Sequence, residues 1–290
     1  MHKAIGIFDS GIGGLTVFKA IKKLLPNEKL IYFGDTARIP YGTKSEKLVQ
    51  QYALEDAVFL LQYNIKMIVI ACNTASSMAL DFLKSRLEIP VIGVVIPGSA
   101  GAVRETKNKT IGVIGTSATI NSGAYKAAIL SRMENARIYS QACPLLVPLV
   151  EEGWLEGNIT ELILNNYLSD ILTNKPDTII LGCTHYPLLS NTIQQISGQG
   201  VTLIDSGKET ARYVEQVLAE NNLLNEDAFD STDQFFVSDI PQKFEAIGTR
   251  FLGETMGLVM RVDFEKFLED NSIQIKELKE NIKTVVREGI

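Results

Sequence analysis

The sequence predicts an α/β protein of two similar doubly wound domains with mostly parallel sheets, pseudo-symmetric, with the active site in the cleft between them. Three observations predict it. Short apolar runs alternate with amphipathic helical stretches along most of the chain, the pattern of parallel sheets. Blocks of residues recur in the same order at a nearly constant offset. Two of the recurring blocks carry a cysteine, each directly after an apolar run.

The first series of strands is read at residues 3–8, 29–33, 66–71 and 91–95, the second at 110–114, 136–140, 178–181 and 201–204. Helical periodicity marks 15–25, 46–63 and 158–173. Ile5-Gly6-Ile7-Phe8 is matched by Ile111-Gly112-Val113-Ile114 at an offset of 106, and Ile31-Tyr32 by Ile138-Tyr139 at 107. Ala71-Cys72-Asn73-Thr74 is matched by Gly182-Cys183-Thr184-His185 at 111, and 91–95 by 201–205 at 110. A helix follows at 207–221, then a polar stretch at 225–233, a strand at 234–238 and a helix after Pro241. The expected division is 1–97 with 208–267 as one α/β domain and 98–207 as the second. Residues 268–290 form a charged tail, expected to be helical and without chemistry.

The bulk properties exclude several classes. A net charge of −6 with no basic block argues against a nucleic-acid partner. No apolar stretch reaches the length of a membrane span, and Met1-His2-Lys3 leads straight into a strand without a signal-peptide core. The cytoplasm is the expected location. Cys72, Cys143 and Cys183 are too few and oddly numbered for a disulfide framework. With only His2 and His185 beside them, a cysteine/histidine zinc site is not expected either. The cysteines are therefore buried filler or reactive thiols.

Symmetry favours reactive thiols at Cys72 and Cys183. Each is expected where a strand ends and a helix begins, where unpaired N–H groups and the helix dipole favour a thiolate. In open α/β sheets ligands bind beyond the carboxyl ends of the strands. His185, two residues after Cys183, is either structural or a proton partner for that thiol. Glu151 and Glu152 read as a solvated helix start or as acidic groups at a site, with Glu151 the preferred member. Asp9-Ser10-Gly11-Ile12-Gly13-Gly14 suits an anion through its backbone N–H groups. It lacks the third glycine of a dinucleotide fingerprint, because position 16 is Thr16. Asp9 as a helix N-cap is the alternative. The run from Asp35 to Gly42 has the mixed character of a substrate-binding loop or an ordinary turn. Thr116, Ser117 and Thr119 place hydroxyls after the fifth strand, where the first unit has Asp9-Ser10.

Taken together, these motifs resemble the glutamate racemase family of the aspartate/glutamate racemase superfamily. The resemblance runs from Gly6 to about Phe267. It rests on Gly34-Asp35-Thr36-Ala37-Arg38-Ile39-Pro40-Tyr41-Gly42, Ala71-Cys72-Asn73-Thr74-Ala75 and Gly182-Cys183-Thr184-His185-Tyr186-Pro187, with Pro144 to Glu151 also fitting. It implies cofactor-independent racemisation of L- and D-glutamate, supplying D-glutamate for peptidoglycan. It implies Cys72 and Cys183 as the catalytic thiols, with Asp9, Glu151 and His185 as auxiliary groups. It places substrate contacts at Asp9, Ser10, Tyr41, Gly42, Asn73, Thr74, Thr184 and His185, to which Thr116 and Thr119 are added from their hydroxyls. It implies no metal and no pyridoxal phosphate. The expected partner is the small-molecule substrate glutamate, with a homodimer left open. Some relatives carry an N-terminal extension linked to activation by a muropeptide precursor, which is not expected here. Competing readings are an aspartate racemase, since one methylene is worth only about 1–3 kcal/mol of selectivity, a non-catalytic anion- or nucleotide-binding module, and a cysteine hydrolase using Cys183 and His185.

Overall fold

The structure, a computed structural model, describes residues 3–225 and 232–280. Among the described residues ten strands run β1 Ala4–Asp9, β2 Leu30–Gly34, β3 Ile65–Ile70, β4 Val91–Gly93, β5 Thr110–Gly115, β6 Arg137–Ala142, β7 Thr178–Gly182, β8 Thr202–Asp205, β9 Gln234–Val237 and β10 Val259–Arg261. They form two sheets, ordered β10-β9-β2-β1-β3-β4 and β6-β5-β7-β8. Every pairing is parallel.

The order β2-β1-β3-β4 in the first sheet repeats as β6-β5-β7-β8 in the second. The recurring sequence blocks fall on equivalent strands, so β3 and β7, which precede the two cysteines, hold the same place in their sheets. Both faces of the central strands are covered. In β1, Ile5 and Ile7 join one core while Ala4 and Phe8 join another, the two-residue alternation of a strand between helical layers. The core on one side runs on from the first sheet into the second, through residues such as Leu15, Cys143, Leu146 and Tyr186.

The observed strands are offset from the apolar runs by a residue or two, and the physical reason is visible. Asp9, Gly34, Gly115, Gly182 and Asp205 continue the ladder through backbone groups although their side chains break the apolar pattern. β4 stops at Gly93, and Val95 already opens the helix Val95–Glu105. β10, only three residues long, has too little pattern to be read in advance. The tail contains the helices Phe264–Asp270 and Ser272–Glu280, while residues 281–290 lie outside the described residues, as do 226–231 of the polar stretch and His2. Among the described residues no helix is long and apolar enough to cross a membrane.

Candidate active site

Cys72 leaves the end of β3 and is the N-cap of the helix Asn73–Lys84, its sulfur accepting the Ala75 N–H at 3.5 Å. Its thiol donates to Ser10 Oγ at 3.6 Å. The helix start was expected to favour a thiolate, but burial wins: it pushes the Cys72 thiol up to about 12, with nearby Asp9 adding to the rise against the Ala75 and Ser10 contacts.

Cys183 follows β7 but does not begin an α-helix, contrary to expectation. The chain makes a short 3-10 turn, Tyr186–Leu189, before the helix Ser190–Ser197, because Pro187 and a Tyr186 hydroxyl bonded to the Cys143 carbonyl (2.8 Å) hold it in a tighter path. The turn lets His185 fold back, with Nδ1 3.8 Å from Cys183 Sγ and 3.4 Å from Thr184 Oγ1. On its far side His185 Nε2 meets Glu151 Oε1 at 3.1 Å. Glu151 is the last residue of the helix Leu146–Glu151, not a helix start. Burial alone would lower the His185 value; hydrogen bonds to Cys183 and Glu151 outweigh it and raise the imidazole to about 10. The same hydrogen bond holds the Glu151 carboxyl below its usual range.

Asp9 is not an N-cap; the helix Leu15–Leu24 begins after Gly14, whose side chain cannot cap. Asp9 Oδ2 accepts the Gly11 N–H at 2.9 Å, and its buried Oδ1 has no partner. Burial raises the Asp9 value against the pull of nearby His185. The glycines of this loop are required by close approach. A Cβ on Gly13 would stand 2.5 Å from His185 Nδ1, with Thr184 Oγ1 closer still, and one on Gly14 would stand 2.5 Å from the Asp9 Cβ. Thr16 Oγ1, at the position that disqualified a dinucleotide motif, donates to the Thr184 carbonyl at 3.0 Å.

The two sheets meet across a cavity of about 180 Å³. Ser10, Tyr41, Gly42, Cys72, Asn73 and Thr74 line it from the first sheet's side, and Thr116, Cys183, Thr184 and His185 from the second's. Asp9, Glu151 and Thr119 stand behind this wall rather than in it. Thr116 caps the short helix Ser117–Asn121. The Oγ1 atoms of Thr74, Thr116 and Thr119 form a triangle across the cleft, with sides of 2.9, 3.1 and 2.9 Å. Tyr41 lines the cavity, but its hydroxyl turns inward to Asp35 and Asp56.

Sequence reasoning missed Tyr125, whose hydroxyl donates to Asn73 Oδ1 at 2.6 Å; among the described residues the buried Asn73 Nδ2 has no partner. It also missed Thr43, Pro144, Val147 and Pro148 as cavity walls, although the last three lie in a run already singled out. Cys143 is filler: buried, its thiol donates to the Gln141 carbonyl. Two thiols line one cavity, one near a buried carboxyl group and the other beside an imidazole, groups able to take up and release protons. Asn73 Nδ2 and the first N–H groups of its helix offer donors to an anion between them.

The family model described as Asp/Glu/Hydantoin racemase matches residues 5–214. A glutamate racemase from Geobacter metallireducens is 49% identical over 263 residues, covering 91% of this chain and 97% of that protein. Among solved structures, glutamate racemase from Francisella tularensis in complex with D-glutamate superposes with a TM-score of 0.85 at 42% identity, covering 91% of this chain and 99% of the other. The Thermus thermophilus glutamate racemase in complex with β-chloro-D-alanine gives a TM-score of 0.82 at 44% identity, covering 91% and 98%.

Proposed function

We propose that this chain, which belongs to the Asp/Glu/hydantoin racemase family, is an isomerase that interconverts L- and D-glutamate by proton transfer between two thiols. One observation carries the mechanism: Cys72 and Cys183 leave equivalent strands of two matching sheets and line one cavity. Racemisation needs a base on one face of Cα and an acid on the other, and the thiols exchange these roles with substrate handedness.

Cys72, a thiol at neutral pH, is the acid when Cys183 is the base. His185, its imidazole raised to about 10 by hydrogen bonds to Cys183 and Glu151, is the proton-handling partner of the Cys183 sulfur and fixes its surroundings. In the opposite direction Cys72 must give up its proton first, and buried Asp9, in electrostatic contact with it, is the group that governs that step. The α-proton is weakly acidic, so charge growing on the substrate carboxylate must be met by fixed donors. Asn73 Nδ2 and the N–H groups opening the helix Asn73–Lys84 are placed for this, lining a site whose cysteines are buried. Serial contact through Gly13, Thr16 and Thr184 keeps the two halves in register.

The near full-length similarity to glutamate racemases supports glutamate over aspartate, and with it a supply of D-glutamate for peptidoglycan in the cytoplasm. Strand membership supports residues 1–97 with 208–267 as one domain and 98–207 as the other. The test is the circular dichroism of L-glutamate incubated with purified protein in reducing buffer without added cofactor. Decay of the signal to zero is expected. An unchanged signal for glutamate with decay for aspartate would transfer the activity to aspartate.

A further inference from the structure

The loop from Asp35 to Gly42 stands on a buried ionic cluster that the chemistry above does not use. Arg38 Nε meets Asp35 Oδ2 at 2.6 Å, its Nη2 meets Asp56 Oδ1 at 2.9 Å, and its Nη1 pairs with Glu55. The guanidinium is covered by the rings of Tyr52, 4.0 Å away, and Phe264, 4.8 Å away. Gln51 Nε2 donates to Glu55 Oε1 at 2.9 Å, and Lys279 Nζ lies 3.8 Å from the same oxygen. Tyr41 closes the cluster, its hydroxyl 2.5 Å from Asp35 Oδ2 and 3.0 Å from Asp56 Oδ2.

Protons and charges can be counted here. The Tyr41 hydroxyl has one proton but two contacts that need one. Asp35 already accepts from Arg38 and from Ser238 Oγ at 3.1 Å, so it is the better anion. The second proton therefore sits on Asp56 Oδ2, which has no other donor, and Asp56 donates to the Tyr41 oxygen while Tyr41 donates to Asp35. The charge count agrees. With Asp56 neutral, Arg38 and Lys279 balance Asp35 and Glu55; with Asp56 ionised, one buried negative charge is unmatched, which burial penalises. Burial pushes Asp56 well above the ordinary carboxylate value, in the same direction.

What the cluster holds is a wall of the site. Tyr41 and Gly42 line the cavity, and Gly42 sits so close to Thr116 of the other half that an added Cβ would stand 2.9 Å from the Thr116 Cβ. We propose that Asp56 is a positioning residue for substrate binding: a protonated Asp56, acting through Tyr41 and Asp35, fixes the Tyr41-Gly42 wall against Thr116. This rests on the racemase reading of the cavity.

The test compares three variants. Asp56→Asn keeps the polarity, its amide oxygen facing Arg38 and its NH₂ facing Tyr41, so KM and kcat for glutamate should stay close to wild type. Asp56→Ala and Tyr41→Phe should each raise KM about tenfold with a smaller change in kcat, the scale of one lost buried hydrogen bond. Wild-type minus Asp56→Asn infrared difference spectra at neutral pH should show a protonated-carboxyl C=O stretch. Thermal unfolding checks that each variant is folded. The proposal is overturned if that band is absent, if Asp56→Asn is as impaired as Asp56→Ala, or if Tyr41→Phe binds glutamate normally. Failure of wild type to racemise glutamate would instead remove the functional reading, and the infrared band would still decide the proton on Asp56.

Discussion

His185 stands between Cys183 and Glu151, with Nδ1 3.8 Å from the sulfur and Nε2 3.1 Å from the carboxylate. Cys72 instead has Ser10 Oγ at 3.6 Å and buried Asp9 nearby. The sheets repeat, but the groups beside the two sulfurs do not.

Cys72→Ser and Cys183→Ser should each nearly abolish racemisation, because a hydroxyl is a poor base and acid here. Each should retain one-sided chemistry on a glutamate analogue with a β-leaving group. Family resemblance assigns the L-enantiomer to Cys183 and the D-enantiomer to Cys72. Elimination should therefore survive for the L-analogue in Cys72→Ser and for the D-analogue in Cys183→Ser. Equal loss of both enantiomers in both variants would refute opposed bases.

Asp9→Asn and His185→Asn should slow racemisation about 100- to 10,000-fold while the protein stays folded. The equilibrium constant of a racemase is unity, so kcat/KM must fall equally in both directions. The asymmetry cannot appear in kcat/KM but can in irreversible elimination, where His185→Asn should impair the L-analogue more and Asp9→Asn the D-analogue more. Near-normal rates in both variants would make these residues structural.

Gly13→Ala should lower kcat/KM about 100-fold, the penalty of an ångström-scale misplacement of a reacting group. The new methyl must displace His185 Nδ1, which it would approach to 2.5 Å. Thermal unfolding alongside kinetics separates this from loss of fold; wild-type kinetics would show that the imidazole's position is unimportant.

The Glu151–His185 pair should make stability depend on pH with a definite sign. The His185 value rises on folding from 6.5 to about 10, so its contribution is complete below 6.5 and is lost as pH climbs through about 10. The Glu151 value falls on folding, so its contribution is complete above the ordinary 4.5 and is lost below it. The Tm gap between wild type and Glu151→Gln should be widest between pH 4.5 and 6.5 and should close above pH 10. A gap that widens with alkali would contradict the pairing.

Exhaustive chelation should leave the rate unchanged, and the active protein should show no pyridoxal phosphate absorbance. Activity restored only by adding back a metal or that cofactor would refute a purely protein-based proton transfer.

The duplicated frame was legible because it rests on apolar runs and on blocks spaced 106 to 111 residues apart, features carried by the order of residues along the chain. The thiols were legible through the same repetition. Less legible was everything that depends on where a side chain turns. The family resemblance implies Tyr41 as a substrate contact, yet its hydroxyl is drawn inward to Asp35 and to Asp56, a residue inside the helix Glu46–Leu61 with no local signal of its role. Tyr125 reaches Asn73 from 52 positions away, a distance no local pattern can report. The sequence places both Cys72 and Cys183 at helix starts because each follows an apolar run, and for Cys183 the repeat misleads: Pro187 and Tyr186 diverge from their counterparts, and a 3-10 turn comes first.

The threonine triangle gives the cleft a fastening that water can undo. Any widening of the cavity must part Thr74 from Thr116 and Thr119, breaking contacts of 2.9 and 3.1 Å. Greasy surfaces in that place would resist wetting and make each opening costly. Hydroxyls exchange one another for water almost evenly, since a net hydrogen bond is worth only about 1 kcal/mol. The latch is thus specific when shut and inexpensive to release, which suits a catalyst that must admit a free amino acid, seal it from solvent during proton transfer, and let its mirror image go.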